Sequence, residues 1–360
     1  MIYLDHAATT PTRPEAVEAV RALLAGPPGN PASAHAAGRR ARQSLEDARE
    51  RIAAVLHCEP AEVIFTSGAT EANNLALFGL AGHPPGRIVA SPVEHPCVAE
   101  PLRQLAARGF TVEYLPVDRQ GIVDLSHLGD IRLVTAMLVN HETGAALTMA
   151  ARSPWHTDAA QAVGKVAVDF RALGVTALTL SAHKFGGPPG IGVLVLQRGT
   201  PLRPLLYGGH QQQGRRPGTE PVALAAGLAV ALELAERERE ANWLTVATLR
   251  ERFLTRVASA APVVVNSPTG GVPHILNVSF PGCEAQNLLI ALDLVGVACS
   301  TGSACSSGSL LPSPVLRAMG VPDDVLRSAM RFSFAATTAA TEVDEAADRI
   351  VAAARHLRQA

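Results

Sequence analysis

The chain has 360 residues, 31 basic against 32 acidic side chains and a formal net charge of −1. That balance leaves no basic surface excess, which argues against nucleic acid as a direct partner. The longest apolar run, 221–232, is shorter than a bilayer span and meets Glu233, and the opening residues carry no basic-then-apolar leader pattern. The expectation is a soluble cytoplasmic protein without a membrane partner.

Five cysteines (Cys58, Cys97, Cys283, Cys299, Cys305) show neither a CxxC nor a Cys/His metal spacing. A disulfide framework and a resident metal are therefore not expected. Cys58 and Cys97 read as small buried residues, Cys283 sits in a Pro-Gly-Cys-Glu turn pattern, and Cys299 adjoins an apolar run and should pack.

Taken in chain order, helical patterns cover Glu15–Ala25, Ala36–Leu56 and Glu71–Leu80. Strand patterns cover Glu62–Phe65, Arg87–Ala90, Thr111–Val117, Ile131–Val139, Val175–Leu180 and Gly190–Leu196. This alternation predicts an α/β fold with a mostly parallel sheet. Ligands of such sheets collect beyond the carboxyl ends of the strands. Pro221 to about Arg256 reads as a long helix broken near Asn242. Beyond it, Val263–Val265, Ile275–Phe280 and Met330–Phe334 read as strands and Glu284–Leu294 as a helix. A closing helix over Thr341–Arg358 is expected to be capped by Thr341, with Glu342 and Asp344 in its first turn. The predicted division is a large domain over 13–257 and a smaller α+β domain made of 1–12 with 258–360, which carries a cysteine loop at about 299–310.

Only two of the 31 basic side chains are lysine. Lys165 follows a short helix, where a lysine is ordinarily a solvated cap. Lys184 follows an apolar run, in Ser181-Ala182-His183-Lys184. Arginine can neither deprotonate nor form an imine, so a lysine kept beside Ser and His suggests amine chemistry.

Several further segments carry chemistry. In Phe65 to Asn74 a strand runs through a small-residue turn into a helix start. This is either an anion site with Thr70 as an added donor or an ordinary capped helix. Asp158 follows a short strand with Gln161 one turn on; it either keeps a heterocyclic nitrogen protonated or caps a helix. His95 also follows a strand directly and is a ring neighbour or a structural histidine. Cys305 lies in a Ser/Gly-rich loop, where a nucleophilic thiol belongs if its pKa is lowered. Arg331 lies inside a strand and needs an anionic partner, either a ligand carboxylate or an internal acid. A phosphate cradle, an acid for a ring nitrogen, an aromatic ring neighbour, an imine-forming lysine and a carboxylate clamp together fit pyridoxal phosphate acting on an amino acid.

Nearly end to end, the chain resembles the cysteine desulfurases of the class V aminotransferase-like group. The matching segments are Tyr3–Pro11, Gly29–Ser33 with His35, Ser67–Asn73, Val93–His95, His156–Gln161, Ser181–Lys184, Arg216–Glu220 and Gly302–Cys305. The Gly-Ser-Ala-Cys segment is similar to the long-loop branch, which hands sulfur to protein acceptors. The resemblance implies the fold type I architecture of pyridoxal phosphate enzymes. It makes Lys184 the imine former and carrier of the substrate Cα proton. Ala69, Thr70, Ser181 and His183 would hold the phosphate, and Thr219 would reach the phosphate of a second subunit in a homodimer. Asp158 would pair with the pyridine nitrogen, Gln161 would bond the ring oxygen, and His95 would stack on the ring and shuttle a proton. Arg331, with Asn30 nearby, would grip the carboxylate of L-cysteine. Cys305 would take the sulfur as a persulfide, leaving L-alanine, and pass it to an iron–sulfur scaffold or a tRNA-thiolation protein. Cys305 is also the residue that a transferred iron–sulfur cluster would touch.

Three departures from the family pattern stand out. His141 occupies the place of an asparagine that bonds the ring oxygen, and it adds an expected titrating group there. Only eleven residues separate Gly144 from His156, where the family has a full helix. Leu311 replaces a glutamate. The competing readings are a selenocysteine lyase, another class V enzyme that does not use the loop thiol, and a catalytically impaired interaction protein of the same fold.

Overall fold

The computed structural model describes residues 1–125, 131–148, 154–302 and 312–359. Its first part holds β1 (Ile2–Tyr3), α1 (Pro14–Ala25), α2 (Ala36–Leu56), β2 (Val63–Thr66), α3 (Ala69–Ala81), β3 (Arg87–Ala90), α4 (Pro96–Ala107) and β4 (Thr111–Tyr114). Next come β5 (Leu133–Thr135), β6 (Trp155–Asp158), α5 (Phe170–Leu173), β7 (Ala177–Ser181), β8 (Gly192–Leu196) and α6 (Val222–Ala260). The rest comprises β9 (Val264–Val265), β10 (Ile275–Ser279), α7 (Ala285–Leu294), β11 (Val297–Ala298), α8 (Pro314–Ala318), α9 (Asp323–Leu326), β12 (Ala329–Ser333) and α10 (Ala340–Gln359).

A seven-stranded sheet runs in the order β2-β8-β7-β6-β5-β3-β4. The pairings among β7, β6, β5, β3 and β4 are parallel, and β8 is antiparallel to both neighbours. Strands covered by helices on both faces are buried throughout, and β7 and β8 are buried at every position. Helices α1, α2 and the first part of α6 cover one face, where Leu45, Ile52 and Leu228 pack against Phe65, Leu178 and Val193. Helices α3 and α4 cover the other, with Leu77, Val98 and Leu102 against Ile88 and Leu133.

A separate three-stranded sheet, β12-β10-β9, is antiparallel. It packs with the second part of α6, α7 and α10 around Phe253, Phe280, Phe332 and Phe334. The Phe253 ring lies 4.9 Å from Phe332 and 5.4 Å from Phe334, contacts worth about 0.5–1.5 kcal/mol each beyond the area they bury. The amino-terminal segment joins this second core: β1 pairs with β11, Ile2 and Leu4 are among its buried residues, and Asp5 bridges to Ser333.

Two local expectations are corrected. Helix α6 is continuous across Asn242 for 39 residues, because both of its halves bury apolar faces, first Leu228 and Leu232 and then Val246 and Phe253. Thr341 lies inside α10; the Glu342 carboxylate instead accepts from Ala339 N just before it (3.0 Å). Cys97 and Cys283 are buried, and Cys58 and Cys299 are half-buried. The short 145–155 segment falls partly, and Leu311 wholly, outside the described residues. No helix of the described residues is long and apolar enough to cross a membrane.

Candidate active site

The carboxyl ends of β6 and β7 and the turn after β3 bring the expected residues to one edge of the large sheet. Lys184 ends the short 3₁₀ turn that follows β7. Its Nζ donates to the carbonyls of Ala7 (2.7 Å) and Ala8 (2.8 Å), which tie the amino-terminal segment to the site. Asp158 ends β6 and is buried. Its Oδ1 accepts from Ala160 N (2.8 Å) and its Oδ2 from Asn73 Nδ2 (2.7 Å).

Asn73 in turn accepts from Thr179 Oγ1 (2.5 Å) and pairs with His156 Nε2 (3.0 Å). His156 Nδ1 meets Thr135 Oγ1 at 2.8 Å. Burial pushes His156 down to about 3, so the ring is neutral. Its Nε2–H then donates to the Asn73 carbonyl oxygen, and Nδ1 accepts from the Thr135 hydroxyl. This chain fixes the Asn73 amide with its N–H groups toward Asp158. The sequence reading missed Asn73 and His156, since an asparagine in a helix start reads as a surface residue.

His95 caps α4, accepting from Cys97 N at 3.2 Å, and its Nδ1 lies 2.9 Å from Cys97 Sγ. Its pKa is lowered, first by burial and further by Lys184 and Arg331, against an opposing pull from Asp158. The His95 and His141 rings meet edge to face at 5.0 Å. His141 corrects the expectation of a titrating group: burial, then His95, Arg331 and Lys184, hold it well below the ordinary histidine range. Its Nδ1 is buried with no partner among the described residues.

The amino terminus of α3 points at the same edge. Gly68 precedes it without a side-chain cap, and the first helical bond runs from Ala72 N to Gly68 O. The N–H groups of Ala69, Thr70 and Glu71 thus lie ahead of the ladder, at the positive end of a 13-residue helix. Buried Ser181 adjoins this cradle: a Cβ on Gly68 would lie 3.6 Å from Ser181 Oγ. Gly192 has to be glycine, because a Cβ there would come within 2.7 Å of Gly68 Cα. His183 pairs through Nδ1 with Thr9 Oγ1 (3.1 Å) and is pushed down to about 4, chiefly by burial. These uncapped N–H groups, the buried Asp158 carboxylate and the Lys184 amine are the donor set that a phosphorylated pyridine aldehyde requires, so the residues present fit pyridoxal phosphate.

Arg331, central in β12, is 4% exposed. Its Nη2 donates to Asp5 Oδ1 (2.8 Å) and its Nη1 to His141 O (3.0 Å), while Nε has no partner among the described residues. Of the two partners open to it in sequence, the internal acid is therefore present, and Nε remains for a ligand. Gln161 donates to Ala7 O (2.8 Å) and accepts from Lys165 Nζ (2.6 Å). Lys165 is accordingly no solvated cap; it is 7% exposed.

Two residues stand apart from this cluster. Asn30 is exposed and hydrogen bonds within its own turn, its Oδ1 accepting from Ala32 N (2.9 Å). Thr219 is exposed on the segment that Arg216 ties to α3 through Glu71 (2.7 Å). Cys305 lies outside the described residues; Gly302, three positions before it, packs on Glu142, whose Oε2 would be 2.9 Å from a Cβ there. Among the described residues no group of three His, Cys, Asp or Glu side chains is placed to hold a metal ion.

A half-buried amine past the end of a parallel strand, on the same sheet edge as a helix amino terminus and a buried aspartate, defines a pyridoxal phosphate enzyme fold. The class V aminotransferase pattern matches residues 2–346, and the chain belongs to that family. Within it, the cysteine desulfurase IscS of Dictyoglomus turgidum is 40% identical over 365 residues, covering 96% of this chain and 93% of its own. A solved NifS-like protein superposes with a TM-score of 0.92 at 32% identity, with 98% of each chain covered. The structure titled SspA in complex with cysteine superposes with a TM-score of 0.82 at 31% identity, covering 93% of this chain and 99% of its own.

Proposed function

We infer that this chain is a pyridoxal phosphate-dependent cysteine desulfurase. L-Cysteine and the Cys305 thiol give L-alanine and a Cys305 persulfide: the Cβ–S bond of the substrate breaks and a sulfur–sulfur bond forms on Cys305. The observation that carries the reading is the convergence of Lys184, Asp158 and the uncapped α3 terminus, in a chain 40% identical to a cysteine desulfurase over almost its full length. Bound cofactor supplies an electron sink that weakens the Cβ–S bond.

The protein's own residues do the rest. Asp158, held by Asn73 and Ala160 N, keeps a proton on the ring nitrogen. Ala69, Thr70, Ser181 and His183 hold the phosphate. His95 and His141 flank the ring, and Gln161 meets its oxygen. Lys184 takes the proton from the substrate Cα and returns it. Arg331 offers its free Nε to the substrate carboxylate, and Asn30 and Thr219 act from positions completed by a second copy in a homodimer. The large unit spans 13–257, and 1–12 joins 258–360. The sulfur passes in the cytoplasm to an iron–sulfur scaffold or a thiolation protein.

The test is release of alanine and sulfide from L-cysteine with a thiol reductant present. Wild type should release both in equal amounts, and Cys305→Ser should lose both while still binding cofactor. Sulfide release by Cys305→Ser as fast as wild type would refute the persulfide step.

A further inference from the structure

Lys165 is the second of only two lysines in a chain with 29 arginines. It enters the interior because Gly164 turns at φ +73, where a Cβ would lie 2.9 Å from Ala235 Cβ on α6. The turn therefore sits flat on the helix, and the next side chain points inward. Lys165 Nζ lies 2.6 Å from Gln161 Oε1. On the other side of the same amide, Gln161 Nε2 lies 2.8 Å from Ala7 O, the carbonyl that also accepts from Lys184 Nζ at 2.7 Å.

The chemistry of the partners sets the orientation of this amide. An amine or ammonium donates, so the Gln161 oxygen must face Lys165. A carbonyl only accepts, so the Gln161 NH₂ must face Ala7 and Lys184. One of its two N–H groups serves Ala7, and the other is left for the cofactor side. Without Lys165, nothing else among its hydrogen bonds holds the oxygen on the far side.

We propose that Lys165 is a positioning residue that fixes the Gln161 amide with its N–H groups toward Lys184 and the cofactor's ring oxygen. The proposal rests on the reading that this edge binds pyridoxal phosphate. The electrostatics agree with it. Burial, followed by Lys184 and Arg331, pushes Lys165 down to about 7. The titratable groups that sense it, His6, His183 and His274, are themselves held neutral, mainly by burial. No carboxylate among the described residues pairs with it. A cavity of about 370 Å³ lined by His6, Lys165, Lys184, Asn242 and His274 adjoins the pair. Lysine suits the position where arginine would not: it can shed its charge on burial and still donate.

The test is the pH midpoint of the visible band of the cofactor-loaded protein. Lys165→Met removes the donor at similar volume. The ring oxygen then loses its oriented N–H, which stabilises the form that has lost the proton shared between that oxygen and the Lys184 nitrogen. The midpoint should rise by about half to one pH unit. In a Gln161→Leu background, Lys165→Met should add less than about 0.2 unit, because the two residues act as one. An unchanged midpoint, or equal shifts in both backgrounds, would overturn the role through Gln161.

If Lys165→Met fails to fold, nitrogen NMR of ¹⁵N-lysine-labelled protein decides instead, since only two side-chain signals exist. The Lys165 signal should titrate near neutrality and fall further in Gln161→Leu. No response of the Lys165 signal to Gln161→Leu would overturn the proposal. A wild-type protein that never acquires the visible band would sink the cofactor reading, while leaving the NMR test of the Lys165–Gln161 bond intact.

Discussion

Glu94 is fully buried beside His95, with Oε1 accepting from Met137 N at 2.7 Å and Oε2 without a partner among the described residues. Burial, with a further push from Asp158, raises its pKa from 4.5 to about 8. Between those values the folded protein keeps a proton that the unfolded chain has lost. The folded state thus binds more protons, and stability falls as pH rises from 4.5 through 8, then levels. A pKa rise of that size corresponds to about 5 kcal/mol over the complete titration, most of it inside that window. Glu94→Gln keeps an oxygen for Met137 N and cannot ionise. The stability of the variant minus that of wild type should therefore climb by about 4 kcal/mol from pH 4.5 to 8.5, with about 3 of it already present at pH 7. Urea unfolding of the cofactor-free proteins at pH 5, 7 and 8.5 measures this, and the subtraction cancels groups common to both chains. A difference that stays flat with pH would show that Glu94 ionises normally and that the burial argument fails.

Two further outcomes follow from the site. His141 is neutral well below pH 6.5, so His141→Asn should leave the midpoints of kcat/KM against pH unchanged between pH 6 and 9; an acidic limb present in wild type and lost in the variant would contradict this. Arg331→Lys keeps the charge for Asp5 but loses the Nε–H offered to the substrate, so KM for L-cysteine should rise about 10- to 100-fold with a smaller change in kcat; an unchanged KM would remove Arg331 from substrate binding.

The residues legible in the sequence are those whose role follows from the strand that precedes them. Asp158 ends a strand and Lys184 and His95 stand within a few residues after one, and in a parallel sheet that alone predicts a shared edge. What escaped depends on segments distant in the chain. Arg331 finds Asp5 across 326 positions, a pairing that no local pattern announces. Lys165 follows a glycine at the end of a turn, which on its own reads as a surface cap. It is buried by α6 and by the amino-terminal segment returning over it. Asn73 reads as one more polar position on a helix, and its task is set by His156 and Thr179 on two different strands. The break expected at Asn242 failed for a related reason: a polar residue on one face does not interrupt a helix whose opposite face stays packed.

That unbroken α6 has a consequence for how the molecule comes apart. At about 1.5 Å per residue it is a beam on the order of 58 Å long, with Leu228 and Leu232 in one core and Val246, Phe253 and Val257 in the other. Towards its end Arg252 and Arg256 grip Asp344 and Asp348 of α10, each with two hydrogen bonds. Fraying this helix from either end strips apolar cover from a sheet, so neither core can loosen without drawing on the shared helix. Heat should therefore dissolve both in a single cooperative event, and the two halves of the site would be lost together.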